Sequence, residues 1–150
     1  MRLVLAAALA VTPLAALAQD NSAEEDALKA RQGYMVAMAT NMGPLAAMAK
    51  GDMPYDEATA VFHAQNLAAL GQYAVEMHFL PGTAQGEIEG SDALPAAWAN
   101  IDDVMAKHGD FEAATAAAPE GVKGGQDRVV AVVQSLGVTC KACHDQYRAK

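Results

Sequence analysis

The sequence predicts an all-α protein, an antiparallel up-down-up-down bundle of four helices. Stretches rich in proline and glycine at residues 51–54, 81–95 and 119–125 divide the chain. They separate segments of about 20–28 residues, well above the mean helix length of roughly 11–12 residues. Apolar residues within the segments recur at steps of three and four, the spacing that lines one face of a helix. A chain of 150 residues has room for one such domain.

The first 18 residues have the pattern of a secretory signal peptide. Arg2 provides a basic start, an apolar run follows, and small residues stand at Ala16 and Ala18, positions −3 and −1 of a cleavage site. A membrane anchor is the alternative, but 16 residues interrupted by Pro13 fall short of the roughly 20 that span a bilayer. We predict cleavage after Ala18, a domain over residues 19–150, export to a bacterial periplasm and no membrane span.

The net charge narrows the range of partners. Ten Lys and Arg against 18 Asp and Glu give a charge of −8, which becomes −9 when Arg2 leaves with the signal peptide. Nucleic acid is excluded as a partner, because its binders need clustered Lys and Arg. An acidic surface suits transient docking on a basic patch of a redox partner protein. Two cysteines are too few for a disulfide scaffold.

Local signals set the limits of the first two predicted helices. The first covers about residues 22–50, where Ser22 followed by Glu25 has the spacing of a capping box. Acidic residues in its first turn suit the positive end of the helix dipole. The second begins at Asp56, a good N-cap, and continues to about Phe79.

The third and fourth helices complete the predicted bundle. The third begins around Pro95, which suits a first helical turn, and continues past Phe111. The fourth covers about residues 126–148. The valine-rich run at 129–133 favours a strand when taken alone, but a seven-residue apolar rhythm continues through to Tyr147 and favours a helix. Four helices joined by short or moderate loops indicate an antiparallel bundle.

The motif C-x-x-C-H at Cys140, Cys143 and His144 is the sharpest chemical signal, because it is the attachment site of c-type haem. At about 100° per helical residue, Cys143 lies about 60° from Cys140 on one side and His144 about 40° away on the other. Both sulfurs then reach the vinyl groups along one porphyrin edge, and the imidazole comes up beneath the iron. We predict one covalent haem c enclosed by the bundle, with His144 as the proximal ligand.

Other uses of two neighbouring cysteines fit less well. A thioredoxin-type pair would start a helix after a strand in an α/β chain. A zinc site needs a fourth ligand, and His63, His78 and His108 are not paired at ligand spacing. We predict that these three histidines are surface or loosely packed residues. A disulfide between Cys140 and Cys143 would be strained within a helix.

With its haem motif near the C-terminus after three helices, the chain resembles the class II cytochromes c, the cytochrome c′ family. The resemblance covers nearly all of the mature chain. It implies the four-helix bundle, the covalent haem and, in many members, a homodimer through the first two helices. Its other marks are Arg31 and Gln32, residues 50–56, residues 79–83, residues 95–98, Tyr147 and Arg148.

The residue on the other face of the iron decides the function. In an antiparallel bundle the end of the last helix lies beside the first half of the first helix, so Met35 and Met38 are the candidates. A Met on an apolar stripe is usually core filler. The resemblance selects Met35, four positions after Arg31, because a Met there is the sixth ligand in the low-spin, six-coordinate branch of the family. The leading prediction is a monohaem electron carrier with His144 and Met35 as axial ligands and no enzymatic turnover.

Two alternatives stay open. The first is a five-coordinate cytochrome c′ whose iron binds nitric oxide or carbon monoxide. The second is a structural bundle without metal.

Arg31 lies on the apolar stripe, where an unpaired charge is costly, and the resemblance gives it a haem propionate as partner. Arg148, one turn beyond His144, either contacts a propionate in the same way or reaches solvent, and Gln32 approaches the haem edge in such proteins.

Overall fold

The computed structural model describes residues 21–150. The helices are α1 Ala23–Lys50, α2 Glu57–Gly71, α3 Ala96–Ala99, α4 Ile101–Gly121 and α5 Gln126–Tyr147, with a 3-10 turn at Val75–His78. The four long helices, α1, α2, α4 and α5, form a closed ring in which each packs against two others, and α3 is a single turn between α2 and α4. The predicted all-α four-helix bundle is therefore confirmed.

The described part of the chain begins after the predicted signal peptide. Residues 1–18 and the cleavage after Ala18 lie outside the described residues, so both stay predictions. Within residues 21–150, no helix is long and apolar enough to cross a membrane.

The predicted capping signals set the starts of α1 and α2. The hydroxyl of Ser22 accepts a hydrogen bond from the backbone N–H of Glu25 at 3.2 Å. The carboxylate of Asp56 accepts one from the backbone N–H of Thr59 at 2.8 Å. Each bond satisfies an N–H that has no partner within its helix. α1 ends at Lys50 and is capped by Gly51, whose φ of 80° lies in the left-handed region typical of a helix C-terminus.

The second predicted helix is wrong at its end, because α2 stops at Gly71 rather than near Phe79. Glycine has a low helix propensity. The backbone N–H of Tyr73 already bonds to the carbonyl of Leu70 in a turn. This turn lets the Tyr73 ring leave the helix and stack on Tyr34 of α1. The chain continues as the 3-10 turn and then as residues 79–95, here called the cavity loop.

The third predicted helix is divided, because Asn100 interrupts it with φ −133° and ψ 43°. The prediction that Pro119 opens the next break is also wrong, since Pro119 lies inside the last turn of α4. Helical hydrogen bonding continues past it, with the N–H of Val122 donating to the carbonyl of Ala118 at 3.0 Å. The break is confined to residues 122–125, and α5 begins at residue 126 as predicted.

The apolar core fills one end of the bundle. A second, smaller group packs around Val104 and Tyr147 near the end of α5. Met48 is fully buried and is core filler, as is usual for a methionine on an apolar stripe. The largest fully buried apolar side chains are Leu45, Met48, Leu67, Leu136, Val122 and Val129.

We expect Gly71→Ala to lower the free energy of unfolding by about 1–3 kcal/mol through overpacking. A methyl group there would lie 2.2 Å from the Thr115 hydroxyl oxygen and 3.3 Å from the backbone of Glu112. Gly109 is the matched control: it lies on an exposed part of α4 with no atom within 4 Å of an added Cβ. Gly109→Ala should raise the free energy of unfolding by up to about 1 kcal/mol. Urea unfolding measures both, and equal effects would contradict the close approach of α2 and α4.

Candidate functional site

An open cavity of about 730 Å³ lies between α1 and α5, beside the cavity loop. This volume falls within the range of about 300–1,000 Å³ that is typical of cofactor sites. All seven residues that the sequence analysis selected line it, although they come from opposite ends of the chain. They are Arg31, Gln32, Met35, Cys140, Cys143, His144 and Arg148.

The α5 wall carries the C-x-x-C-H residues on two successive turns. Both cysteines are free, half-buried thiols, so the disulfide alternative is not formed. Burial raises the pKa of the Cys140 and Cys143 thiols. Burial, together with the charge of Arg148, lowers the pKa of His144. This favours the neutral imidazole, which is the form that binds a metal.

The zinc alternative has no ligand set in the described structure. Within residues 21–150, no group of three or more His, Cys, Asp and Glu side chains is arranged to hold a metal ion. His63 is instead paired with Asn41, its Nδ1 lying 3.1 Å from the amide oxygen.

The α1 wall carries Met35 and Met38. Both line the cavity, but Met38 is partly buried against the core whereas Met35 is 41% exposed. Met35 is therefore not core filler. Met35 belongs to α1, the helix on the other side of the cavity from His144. The antiparallel topology places a distal residue on this helix.

Arg31 holds the cavity loop to α1. Its side chain is 5% exposed, and one guanidinium nitrogen donates to the His78 carbonyl and, at 2.7 Å, to the Thr83 hydroxyl. The other donates to the Thr83 carbonyl at 2.7 Å. The guanidinium carbon lies 5.2 Å and 5.3 Å from the ring centroids of Phe79 and Trp98, within the range of a cation–π interaction. Arg31 thus has protein partners of its own, and its contact with a propionate stays a prediction.

The two weaker candidates lie at the rim of the cavity. Gln32 donates from its side-chain amide to the carbonyl of Gly90 at 3.0 Å, a second tie between α1 and the cavity loop. Arg148 is exposed. Just beyond it, the N–H of Ala149 donates to the carbonyl of Asp92 at 2.8 Å. The chain after α5 therefore closes the same loop from the other side.

A smaller side chamber of about 80 Å³, also lined by Cys140 and His144, was not predicted from the sequence. Its own wall includes Tyr34 and His108, and the Tyr34 hydroxyl lies 3.1 Å from Nε2 of His108. His63, His78 and His108 are all half-buried, but His108 is the one that lines the chamber. Its steps of four from Val104 and three to Phe111 place it on an apolar stripe, and this was the signal for an inward position.

Comparisons with known proteins identify the family. The family model described as "Cytochrome C'" matches residues 26–148. The cytochrome c′ of Cereibacter sphaeroides is 42% identical over 149 residues, which cover 99% of this chain and 98% of that protein. The chain belongs to the cytochrome c′ family.

Solved structures agree with this assignment. A cytochrome c′ from Rhodobacter Spheriodes superposes with a TM-score of 0.81 at 42% identity, covering 85% of this chain and 98% of that one. The nitric oxide complex of a cytochrome c′ variant from Alcaligenes xylosoxidans has a TM-score of 0.70 at 33% identity, covering 85% and 97%. A cytochrome c-554 of Cereibacter sphaeroides is a further relative, 36% identical over 97% of this chain and 95% of that protein.

Proteins of this family carry one covalent haem c, so the predicted cofactor is confirmed. They are periplasmic and often dimeric. The site fits the group: the cavity has the volume of a cofactor site, and one wall presents two free thiols beside a half-buried imidazole. Cys140 and Cys143 are the residues that would hold the haem, and His144, next to them, would be the proximal ligand.

We expect Arg31→Lys to lower the free energy of unfolding by about 2 kcal/mol, because a lysine keeps the charge but lacks the planar fork that meets several acceptors. Gln32→Ala is the matched control from the next position, where an exposed amide makes one bond to the same loop. Its effect should stay below about 1 kcal/mol. Urea unfolding of the haem-loaded proteins compares them. A loss in the control as large as in Arg31→Lys would contradict the role of Arg31 in holding the loop.

We expect stability to fall in mild acid through His108. Burial lowers its pKa below the ordinary 6.5, and the opposing effects of Glu112 and Glu76 are smaller. As the pH falls, His108 therefore binds a proton in the unfolded chain before it does so in the folded chain. Its contribution to the free energy of unfolding is fully present above about pH 6.5 and is lost as the pH falls through the folded-state pKa. His108→Gln should show a smaller loss of unfolding free energy between about pH 7.5 and pH 5.5 than the wild type. An unchanged difference would show that His108 does not contribute to it.

Proposed function

We propose that the protein is a gas-binding cytochrome c′ rather than an enzyme, with nitric oxide or carbon monoxide bound on the α1 side of the haem. In this proposal Cys140 and Cys143 hold the haem and His144 is the proximal ligand. The haem supplies an iron whose remaining face can take a neutral diatomic molecule. The observation that carries the proposal is the apolar α1 wall opposite His144.

The side chains along this wall favour a neutral ligand. Leu28, Met35 and Val36 are apolar, and Arg31 and Gln32 are the polar residues that α1 adds to the cavity lining. Both already donate to the cavity loop. An anionic ligand needs hydrogen-bond donors in a site of this kind, whereas a neutral diatomic does not. Relatives named cytochrome c′, including the variant solved as a nitric oxide complex, support this function over the electron carrier that the sequence analysis placed first.

A second candidate function is electron transfer with Met35 as the distal ligand. The exposed position of Met35 in the cavity favours it, because this thioether is not committed to packing. A sulfur ligand also favours ferrous over ferric iron relative to harder ligands and raises the potential. The relative named cytochrome c-554 is compatible with either function.

The optical spectrum of the purified protein separates the two functions. Gas binding predicts a high-spin ferric spectrum and a rapid shift when carbon monoxide is added to the reduced protein. A low-spin ferric spectrum with the weak sulfur-to-iron band, and no reaction with carbon monoxide, would overturn the proposal in favour of the carrier. A haem stain on a denaturing gel tests the covalent attachment separately. Cys140→Ser removes one of the two attachment residues, so less haem should remain on the polypeptide after extraction with acidified solvent.

Substitution at position 35 gives the sharper test. If the iron is five-coordinate, Met35→Leu should leave the ferric spectrum high-spin and change carbon monoxide binding only through the shape of the pocket. If Met35 is a ligand, the same change should convert a low-spin spectrum into a high-spin, gas-reactive one. Met53→Leu is the matched control, since Met53 is another exposed methionine that does not line the cavity. Its spectrum should equal that of the wild type in both cases.

A further inference from the structure

We propose that Tyr73, Glu76 and Met77, here called the tyrosine patch, form the docking site for a basic electron-transfer protein, and that Tyr34 links this site to the haem cavity. The inference rests on the proposed haem protein but not on which ligand completes the iron. A redox partner serves both candidate functions, because carbon monoxide binds only to ferrous iron, which must first be formed by reduction, and a carrier must exchange electrons. In the proposed complex, one electron passes between this protein and its basic partner. One protein is oxidised as the other is reduced, and no bond is formed or broken.

The tyrosine patch exposes apolar surface where α2 gives way to the 3-10 turn. Met77 is 62% exposed and Tyr73 is 40% exposed. Tyrosine and methionine are enriched at protein interfaces. Neither side chain belongs to the core clusters of the bundle. Interfaces formed by electron-transfer proteins are small and weak, so a patch of two apolar side chains beside Glu76 is large enough to contribute to one.

A packed row of side chains connects this surface with the side chamber, which shares Cys140 and His144 with the larger haem cavity. The ring of Tyr73 stacks on that of Tyr34, with centroids 5.5 Å apart and an angle of 27° between the planes. Tyr34 is buried and lines the side chamber together with Cys140 and His144. Electrons tunnel more readily through packed side chains than through solvent. Tyr73 is therefore the exposed end of this row, where a partner on the surface can contact it.

The charges around the tyrosine patch favour a basic partner. Glu76 lies in the patch, and Glu112 on α4 is close enough to influence the same histidine, His108. Lys107 also lines the side chamber, but it is paired with Asp103 at 3.3 Å and does not leave a free positive charge there. The whole chain carries −8. Long-range attraction of this sign raises the association rate with a basic protein and is weakened by salt.

The test is the rate at which the reduced, haem-loaded protein passes an electron to a ferric, lysine-rich mitochondrial cytochrome c, followed by stopped-flow absorbance. At low ionic strength, Glu76→Gln and Met77→Ala should each lower the second-order rate about threefold, and the double variant about tenfold. The effect of Glu76→Gln should disappear at about 0.5 M salt, whereas that of Met77→Ala should persist.

Two matched controls separate docking from general surface effects. Phe62 is 58% exposed on α2, and Asp52 is an exposed carboxylate just after the end of α1. Phe62→Ala and Asp52→Asn should leave the rate unchanged. If these variants slow the reaction as much as the patch variants, or if the patch variants have no effect, the docking site lies elsewhere and the proposal is overturned.

Tyr73→Ala tests the connection to the cavity rather than the docking. At saturating cytochrome c it should lower the limiting first-order rate several-fold, while Met77→Ala changes mainly the concentration needed for saturation. An unchanged limiting rate in Tyr73→Ala would refute the link through Tyr34. The optical spectrum of each variant is recorded first. A low-spin ferric spectrum without a carbon monoxide reaction in the wild type contradicts the proposed function. Variants whose electron-transfer rates change while their spectra equal that of the wild type concern only the tyrosine patch.

Discussion

The wall of the haem cavity depends on one buried cation. Removing a guanidinium from water is costly unless its donors find acceptors, and Arg31 finds three acceptors on two residues far along the chain, His78 and Thr83. The rings of Phe79 and Trp98 supply the rest of its surroundings. Since no regular secondary structure spans residues 79–95, side-chain contacts fix the cavity loop against α1, and Arg31 makes most of the hydrogen bonds while Gln32 adds one. A single helical residue thereby shapes a site whose covalent chemistry lies on the opposite helix.

The two sides of the site have different physical requirements. On α5, attachment needs only local geometry, because three side chains within five residues of one helix must face the same way. On α1, the distal face needs an apolar wall whose polar neighbours are already occupied, and this is a property of tertiary contacts. Met35 belongs to both descriptions. It is an apolar wall residue in a gas-binding protein and a metal ligand in an electron carrier, and the same backbone position accommodates either.

Helical spacing and capping signals made much of this structure predictable. The pair Ser22 and Glu25 gave the start of α1, and the C-x-x-C-H motif gave the cofactor, because both signals act within one helical turn. The end of α2 was not predictable from its pattern, since apolar spacing continues beyond Gly71 into a 3-10 turn. The partners of Arg31 lie 47 and 52 positions away, and Tyr34 meets His108 across 74 positions. Such contacts arise only when helices pack, so no local pattern encodes them.

The close contact at Gly71 has an architectural consequence. With no side chain at this position, α2 lies directly against Thr115 of α4. On the other side of the bundle, α1 and α5 pack together at the core end and leave the cavity between them near the C-x-x-C-H motif. A glycine-dependent close approach of one helix pair is thus combined with room for a large group beside the other.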